Sequence, residues 1–275
     1  MEITTTELGN IEVGRNGAPG SSVKVENGRI RHGIGLSVII PTKNEAKNIP
    51  WVLVRLPDIT DEVIIVDAGS TDGTVDLARR IRPDLRVIIE RRPGKGAALR
   101  AGFAAARGEL VVMIDADGSM DPTEIVRYVA MLRQGCDFVK GSRFRPGGGT
   151  SDMSFVRKRG NAALLQMVNA LYNAELTDLC YGFMGFRRDK LSHLDLNSDG
   201  FEIETEIVVR AIKAGLRIGE VPSFEAERGH GQSNLNAWRD GRRVLRTLLS
   251  ERWSLPKARL VEPATIDPLE GAVHA

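Results

Sequence analysis

Two carboxylates two residues apart, Asp115 and Asp117 in the run ELVVMIDADG, are the first side chains of this sequence with chemical potential. They follow an apolar run, and alternate residues of a strand project to one side, so the pair repels unless a cation lies between. Hard oxygen ligands of this kind select Mg2+ or Mn2+, ions that also bridge phosphates. Three further apolar runs end in polar residues. LSVII leads into Pro41-Thr42-Lys43-Asn44-Glu45, where the proline cannot donate to a strand ladder and stops it. EVIIV leads into Asp67-Ala68-Gly69-Ser70-Thr71-Asp72-Gly73-Thr74. A strand-tip carboxylate there can accept from a nucleobase N–H or a ribose hydroxyl; the same residues equally suit a plain turn, with Ser70 or Asp72 as helix N-cap. RVIIE leads into Arg91-Arg92-Pro93-Gly94-Lys95-Gly96, whose cations and following helix N-terminus can receive a phosphate. The spacing GxxxxGK[ST] is missing, and no GxGxxG follows the first strand, which argues against nucleoside-triphosphate hydrolysis and dinucleotide redox chemistry.

The elements that must position these residues are legible as an alternation. Apolar runs at 36–40, 62–67, 86–90 and 109–115 read as strands, and the segments 44–56, 73–82 and 95–107 between them carry helical patterning. Continuous Val/Ile runs suit strands covered on both faces, and repeated β-α units predict a mostly parallel sheet with right-handed crossovers. Ligands of such sheets bind beyond the C-terminal strand ends, where the polar residues cluster. A helix over 122–133 with Asp121 as N-cap and a strand over 137–142 follow. The glycine-rich RPGGGTSDMS predicts a mobile loop. Beyond it come a helix over 157–173, a short apolar GFMGF, a helix over 201–215, a strand RIGEV and a basic helix over about 235–252. Residues 1–35 read as a flexible arm without periodicity and 253–275 as a tail.

The 275 residues carry a net charge of +2, which argues against a dedicated nucleic-acid binder and leaves small-molecule partners. Cys136 and Cys180 fit neither a disulfide framework nor metal-ligand spacing, so a reducing compartment is expected. No apolar run approaches the ~18 residues of a membrane span, and MEITTTELGN lacks a secretion-signal layout, so a cytoplasmic location is expected.

Taken in order, LSVIIPTKNEAKNI, EVIIVDAGSTDGT, GKGAALRAGFAAARGE, VVMIDADGSMDP and VKGSRF resemble the family 2 inverting glycosyltransferases of the GT-A fold. The branch they look most like is dolichol-phosphate mannosyltransferase and its bacterial polyprenyl-phosphate relatives. The resemblance runs over residues 36–250 and implies one α/β domain, 36–252, with a nucleotide-sugar half at 36–143 and an acceptor half at 144–252. It implies a GDP- or UDP-linked sugar donor and Mg2+ or Mn2+. By the same resemblance Pro41, Thr42, Asn44, Glu45, Asp67, Gly69 and Ser70 bind the nucleoside, while Lys95, Gly96 and Asp115-Ala116-Asp117 meet the diphosphate and its metal. Arg143, in GSR, matches a position that faces phosphate. DLCYGFMGFRR, GFEIETEIVVRAIKAGLRIGEVP and ERGHGQSN resemble the acceptor half, with Arg228 where an arginine contacts phosphate and His230 where some members place a third metal ligand. His230 is open to two other readings, phosphate donor or ordinary loop residue. Two departures are Ala68, where the usual motif has a second Asp, and Gly118-Ser119-Met120 after Asp117.

The expected reaction has Asp117, helped by Asp115, placing a metal that neutralises the leaving diphosphate while an acceptor oxygen attacks from the opposite face of the sugar. An acceptor phosphate is already anionic near neutral pH, with a second pKa of about 6, so Arg143 and Arg228 would only position it. A hydroxyl acceptor needs a carboxylate to take its proton. Glu204 or Glu202 is the candidate, since their spacing prevents a helix from aiming both at one point, and the plainer reading is a solvated helix start. Arg157-Lys158-Arg159 and the basic residues of 239–246 suit either a lipid phosphate and the inner membrane face or solvated helix faces. A homodimer is allowed and no nucleic-acid partner is expected. A nucleotide-sugar mutase, a nucleotidyltransferase or a silent nucleotide-binding module would use the same donor pocket.

Overall fold

The computed structural model of the protein describes residues 23–26, 29–32, 35–231 and 237–253. In chain order the elements are β1 (Val23–Glu26), β2 (Arg29–His32), β3 (Leu36–Thr42), α1 (Ile49–Val54), β4 (Glu62–Asp67), α2 (Thr74–Ile81), β5 (Arg86–Ile89) and α3 (Lys95–Ala105). Then come β6 (Leu110–Met113), a 3-10 turn (Pro122–Glu124), α4 (Ile125–Arg133), β7 (Phe138–Ser142), β8 (Gly149–Thr150) and α5 (Phe155–Tyr172). β9 (Met184–Arg187), α6 (Arg188–Leu191), α7 (Ile203–Lys213), β10 (Ile218–Pro222), β11 (Phe224–Glu225) and α8 (Ala237–Trp253) complete them.

Seven strands form one sheet in the order β10-β7-β9-β6-β3-β4-β5. All pairings are parallel except those of β9, which runs antiparallel between β6 and β7. This is the mixed, mostly parallel sheet flanked by helices that the alternation of apolar runs predicts. The continuous apolar runs have the expected cause, because both faces of the sheet are covered. Leu36, Val38 and Ile40 of β3 pack into one core with Ile49, Val52 and Leu53 of α1 and Tyr128, Val129 and Leu132 of α4. Ile39, one residue out of phase, joins Ile64 and Val66 of β4 in the other core, beneath Leu99 of α3, Ile207 and Val208 of α7 and Leu248 of α8. Each fully buried Val, Leu or Ile contributes about 1.5–3 kcal/mol. The small residues of α3 let it lie close on the sheet: a Cβ at Gly102 would stand 2.5 Å from Cγ2 of Ile39.

Several expectations are corrected in detail. β6 stops at Met113, so Asp115 and Asp117 lie on the loop beyond it and strand pleating does not align them. The segment 44–56 is helical only over Ile49–Val54, because its first residues are bound into the turn after β4. The N-cap of α2 is Gly73, at φ 84°, neither Ser70 nor Asp72. Asp121 does cap the turn at Pro122, accepting from Thr123 N. The glycine-rich stretch after Arg143 is tied into a small sheet, β8 pairing parallel with β11 and Thr150 Oγ1 donating to Glu225 Oε2 at 2.8 Å. GFMGF supplies β9, and its apolar character follows from its place inside the sheet, where Met184 and Phe186 are fully buried. Within the expected arm, β1 and β2 pair as an antiparallel hairpin. The rest of the arm and the tail beyond Trp253 lie outside the described residues. Among the described residues no helix is long and apolar enough to cross a membrane.

Candidate active site

The C-terminal ends of β3, β4, β5 and β6, with the loops that follow β7 and β10, enclose a cleft of about 1010 Å³, a volume in the range of small-molecule sites. At its floor a lysine and two carboxylates converge. Lys95, on the first turn of α3, places Nζ 2.6 Å from Asp115 Oδ1 and 2.7 Å from Glu204 Oε1. Burial pushes the Asp115 carboxyl up, Lys95 pulls it back, and the charges of Asp117 and Glu204 raise it again, leaving it at about 6. Burial opposes the charge of Lys95, but the two carboxylates overcome that and hold its ammonium well above the ordinary range. Gly182 makes the convergence possible: a Cβ there would lie 2.7 Å from Lys95 Nζ and 2.9 Å from Glu204 Oε1. The motif residues give no sign of this, since Lys95 and Glu204 are 109 positions apart.

Asp117 belongs to a second charge group. Its Oδ1 accepts from Ser119 N at 3.0 Å and Ser119 Oγ at 2.7 Å, and its Oδ2 accepts from Arg228 Nη1 at 3.1 Å. Arg228 also donates to Glu45 Oε1 through Nη2 and to the His230 carbonyl through Nε at 2.8 Å. Asn48 donates to Glu45 Oε2 at 2.6 Å and to the same carbonyl at 3.0 Å. The loop between β3 and α1, the loop after β6 and the segment after β11 are thus pinned at one point. Around this acidic floor the wall carries both signs: Arg91, Arg92, Arg157, Arg228 and Arg239 line it, with Asp152, Glu225 and Glu227 among them, and Arg157 pairs with Asp152 at 3.1 Å.

Pro41, Thr42, Glu45, Lys95, Asp115, Ala116, Asp117, Glu204 and Arg228 therefore all line one cleft. The remaining candidates are placed elsewhere, each for a physical reason. Asp67 is buried, with Oδ2 accepting from Gly69 N at 3.0 Å and Ser70 N at 2.8 Å and Oδ1 from Ser70 Oγ at 2.5 Å, so its lone pairs shape its own turn. Gly69 supplies the φ of 78° that this turn requires. Ser70 and Asn44 lace the turn to the loop after β3, Ser70 Oγ accepting from Asn44 N at 2.8 Å and Asn44 Oδ1 from Thr71 N at 2.9 Å. Gly96 lies beneath residues 198–199: its N–H donates to the Asp199 carbonyl at 2.8 Å, and a Cβ would collide with the Ser198 carbonyl. The amides of Gly96, Ala97 and Ala98 are thereby committed inside the protein, which corrects their reading as a phosphate cradle, and the charged group that α3 brings to the cleft is the Lys95 side chain.

Arg143 is likewise corrected. Its side chain is 1% exposed, and it donates to Asp178 through Nε at 2.7 Å and Nη2 at 2.9 Å, to Glu225 at 3.0 Å and to the Cys180 carbonyl at 2.6 Å. With its guanidinium 4.8 Å from the Tyr181 ring centroid, it holds the cleft-lining segment Cys180-Tyr181-Gly182 from behind and does not face a ligand. His230 is exposed and contributes its backbone carbonyl to the pinned loop; among the described residues no group of three His, Cys, Asp or Glu side chains is arranged to hold a metal. The donor set that does reach the cleft, Asp115 and Asp117, fits the mode in which Mg2+ or Mn2+ is held by one or two carboxylates and completed by substrate phosphates and water. Tyr181, Gly182, Phe201 and Glu227 also line the cleft; the sequence does not mark them, because Tyr181, Gly182 and Phe201 precede β9 and α7 instead of following a strand tip, and Glu227 is a single loop carboxylate.

A glycosyl transferase family 2 model matches residues 37–195. Undecaprenyl-phosphate mannosyltransferase of Micrococcus luteus is 35% identical over 237 residues, which is 81% of this chain and 97% of that protein. Polyprenol monophosphomannose synthase of Mycolicibacterium smegmatis is 34% identical over 212 residues, 72% of this chain and 80% of that one. Among solved structures, glucosyl-3-phosphoglycerate synthase from Mycobacterium tuberculosis, in complex with Mn2+, uridine diphosphate and glucosyl-3-phosphoglycerate, superposes with a TM-score of 0.63 at 27% identity over 80% of each chain.

Proposed function

The chain belongs to glycosyl transferase family 2, and from that premise we propose that it transfers a sugar, with inversion, from a nucleotide-diphosphate sugar to a polyprenyl phosphate. The observation that carries this reading is the charge layout of the cleft, an acidic floor of Asp115, Asp117 and Glu204 surrounded by arginines on several sides. Such a layout suits two anionic groups brought together, a donor diphosphate and an acceptor phosphate. The lipid acceptor is supported by the two relatives named for polyprenyl substrates, and a UDP-linked donor by the synthase crystallised with uridine diphosphate.

In this reading Asp115 and Asp117 hold Mg2+ or Mn2+, which supplies charge neutralisation for the departing diphosphate. Lys95 and Arg228 hold the two carboxylates aimed at the cleft and offset their charge in the resting protein. The acceptor phosphate oxygen forms the new bond to the anomeric carbon as the bond to the diphosphate breaks, and the nucleoside diphosphate leaves with that electron pair. The anionic oxygen needs no strong base. Arg157 and Arg228 bind and orient it, and Arg143 acts behind them as a positioning residue through Tyr181. A hydroxyl acceptor would instead require Glu204, which does line the cleft; Glu204→Gln with turnover near wild type excludes that base role.

The test is incubation with Mn2+, a panel of UDP- and GDP-linked sugars and a polyprenyl phosphate. Glycolipid formed in step with released nucleoside diphosphate supports the proposal. An isomerised donor would replace it with a mutase, and a nucleoside triphosphate and sugar 1-phosphate formed when pyrophosphate is added would replace it with a nucleotidyltransferase. Measuring the anomeric configuration of the product checks inversion.

A further inference from the structure

α5 is an 18-residue helix with apolar residues all round, yet only Asn161 and Val168 are fully buried. An apolar outer face normally has a cover. Its outward half is unusual in composition: Phe155 is 70% and Val156 58% exposed, Lys158 and Arg159 stand beside them, and the other exposed positions are Gly, Ala, Gln and Leu. α5 contains no Asp or Glu at any position. α8, which packs against α5 through the bond from Tyr172 Oη to the Leu248 carbonyl, repeats the pattern. Its exposed side includes Arg242, Leu245, Arg246, Leu249 and Arg252, while its two carboxylates, Asp240 and Glu251, are buried. Two neighbouring helices thus turn outward a surface of exposed apolar side chains and cations, with no exposed carboxylate on either.

We propose that the outer faces of α5 and α8 are a docking surface for a bilayer containing anionic phospholipid; the proposal deepens the lipid-phosphate acceptor reading and rests on it for its biological use. Charge decides the occupant. A second copy seated on the same face would bring arginines and lysines against their own equivalents, whereas an anionic headgroup layer complements them and lets Phe155 and Val156 enter the acyl boundary. Continuity with the cleft supports the same choice. Arg157 of α5 and Arg239 of α8 line the cleft, so the helices that would lie on the bilayer also form the wall that meets a phosphate.

The experiment is flotation of the full chain with vesicles of phosphatidylcholine alone or with about 30% phosphatidylglycerol, at low salt and at about 0.5 M NaCl. Binding is expected on the anionic vesicles, at least about tenfold weaker on neutral ones or in high salt. Phe155→Ser with Val156→Ser should lower partition at least about tenfold, and Lys158→Glu with Arg159→Glu by roughly fivefold per cation. Arg242→Glu with Arg246→Glu provides an independent pair on α8. Far-UV circular dichroism and the ligand-induced rise in Tm check that each variant is folded. Absence of vesicle binding, or binding indifferent to lipid charge or to these substitutions, overturns the proposal. So does a wild-type dimer that Phe155→Ser dissociates while vesicles are ignored, since the face is then a self-interface. Transfer to a short-chain, water-soluble prenyl phosphate separates the two ideas: vesicle binding without such transfer removes the acceptor reading and leaves the docking surface, and transfer without vesicle binding does the reverse.

Discussion

Gly182 shows how one missing side chain governs the site. A Cβ at this position meets only side-chain ends, those of Lys95 and Glu204 with Asp115 Oδ2 at 3.3 Å, so the fold can accommodate it by opening their contact. Gly182→Ala is therefore expected to shift Tm by no more than a few degrees while lowering kcat/KM by about ten- to a hundredfold, as steady-state kinetics would show. Lys95→Met should do more, because it leaves the buried Glu204 and the partly exposed Asp115 without their cation; a loss of about 1–3 kcal/mol in urea unfolding is expected. The Asp178–Arg143 pair gives a prediction with a pH sign. Burial would raise the Asp178 carboxyl, but the Arg143 hydrogen bonds and the Lys140 charge hold it below the usual carboxylate range. Its stabilising contribution is thus fully present above the unfolded value of about 3.9 and is lost as pH falls through the lower folded value. Asp178→Asn should cost about 3–5 kcal/mol at pH 7, and the gap to wild type should narrow below about pH 4 in denaturant titrations. At this scale the sequence marks Asp115, Asp117, Glu45 and Arg228 by residue type and place. It does not mark that Asp67 spends its lone pairs on its own turn or that Arg143 points away from the cleft, because both depend on partners such as Ser70 nearby and Asp178 thirty-five residues on.

Among the elements, α3 and α5 use glycine in opposite ways. Gly102 lets α3 sit against Ile39, so Gly102→Ala should destabilise by about 1–3 kcal/mol through overpacking. Gly160, within α5, has nothing within 4 Å of a Cβ, and Gly160→Ala should stabilise by about 0.5–1 kcal/mol. Urea unfolding of the two variants reads both signs in one experiment. Strand and helix order were readable from hydrophobic period because buried parallel strands demand continuous apolar runs. The small sheet β8–β11 was not, since Gly149 and Thr150 pair through backbone atoms that any residue carries.

For the whole molecule, the cleft draws loops from both halves of the chain, so a ligand spanning it ties them together. Uridine diphosphate with Mn2+ at about one hundred times Kd should stabilise the protein by about 2.7 kcal/mol, and chelation of the metal should remove most of that gain in a thermal melt. The placing of β9 has a further consequence, one of timing. β7 lies in the first 143 residues, yet its two sheet neighbours are β9 and β10, both encoded after position 180. When a ribosome has delivered the chain as far as residue 143, β6 still has a bare flank and β7 has no strand to join. Non-local pairing of this kind is slow to form and leaves unpaired edges on show. The emerging chain therefore has a waiting period during which its own sheet cannot cover those edges, and cutting the gene after residue 143 should yield an aggregating fragment instead of one that folds by itself.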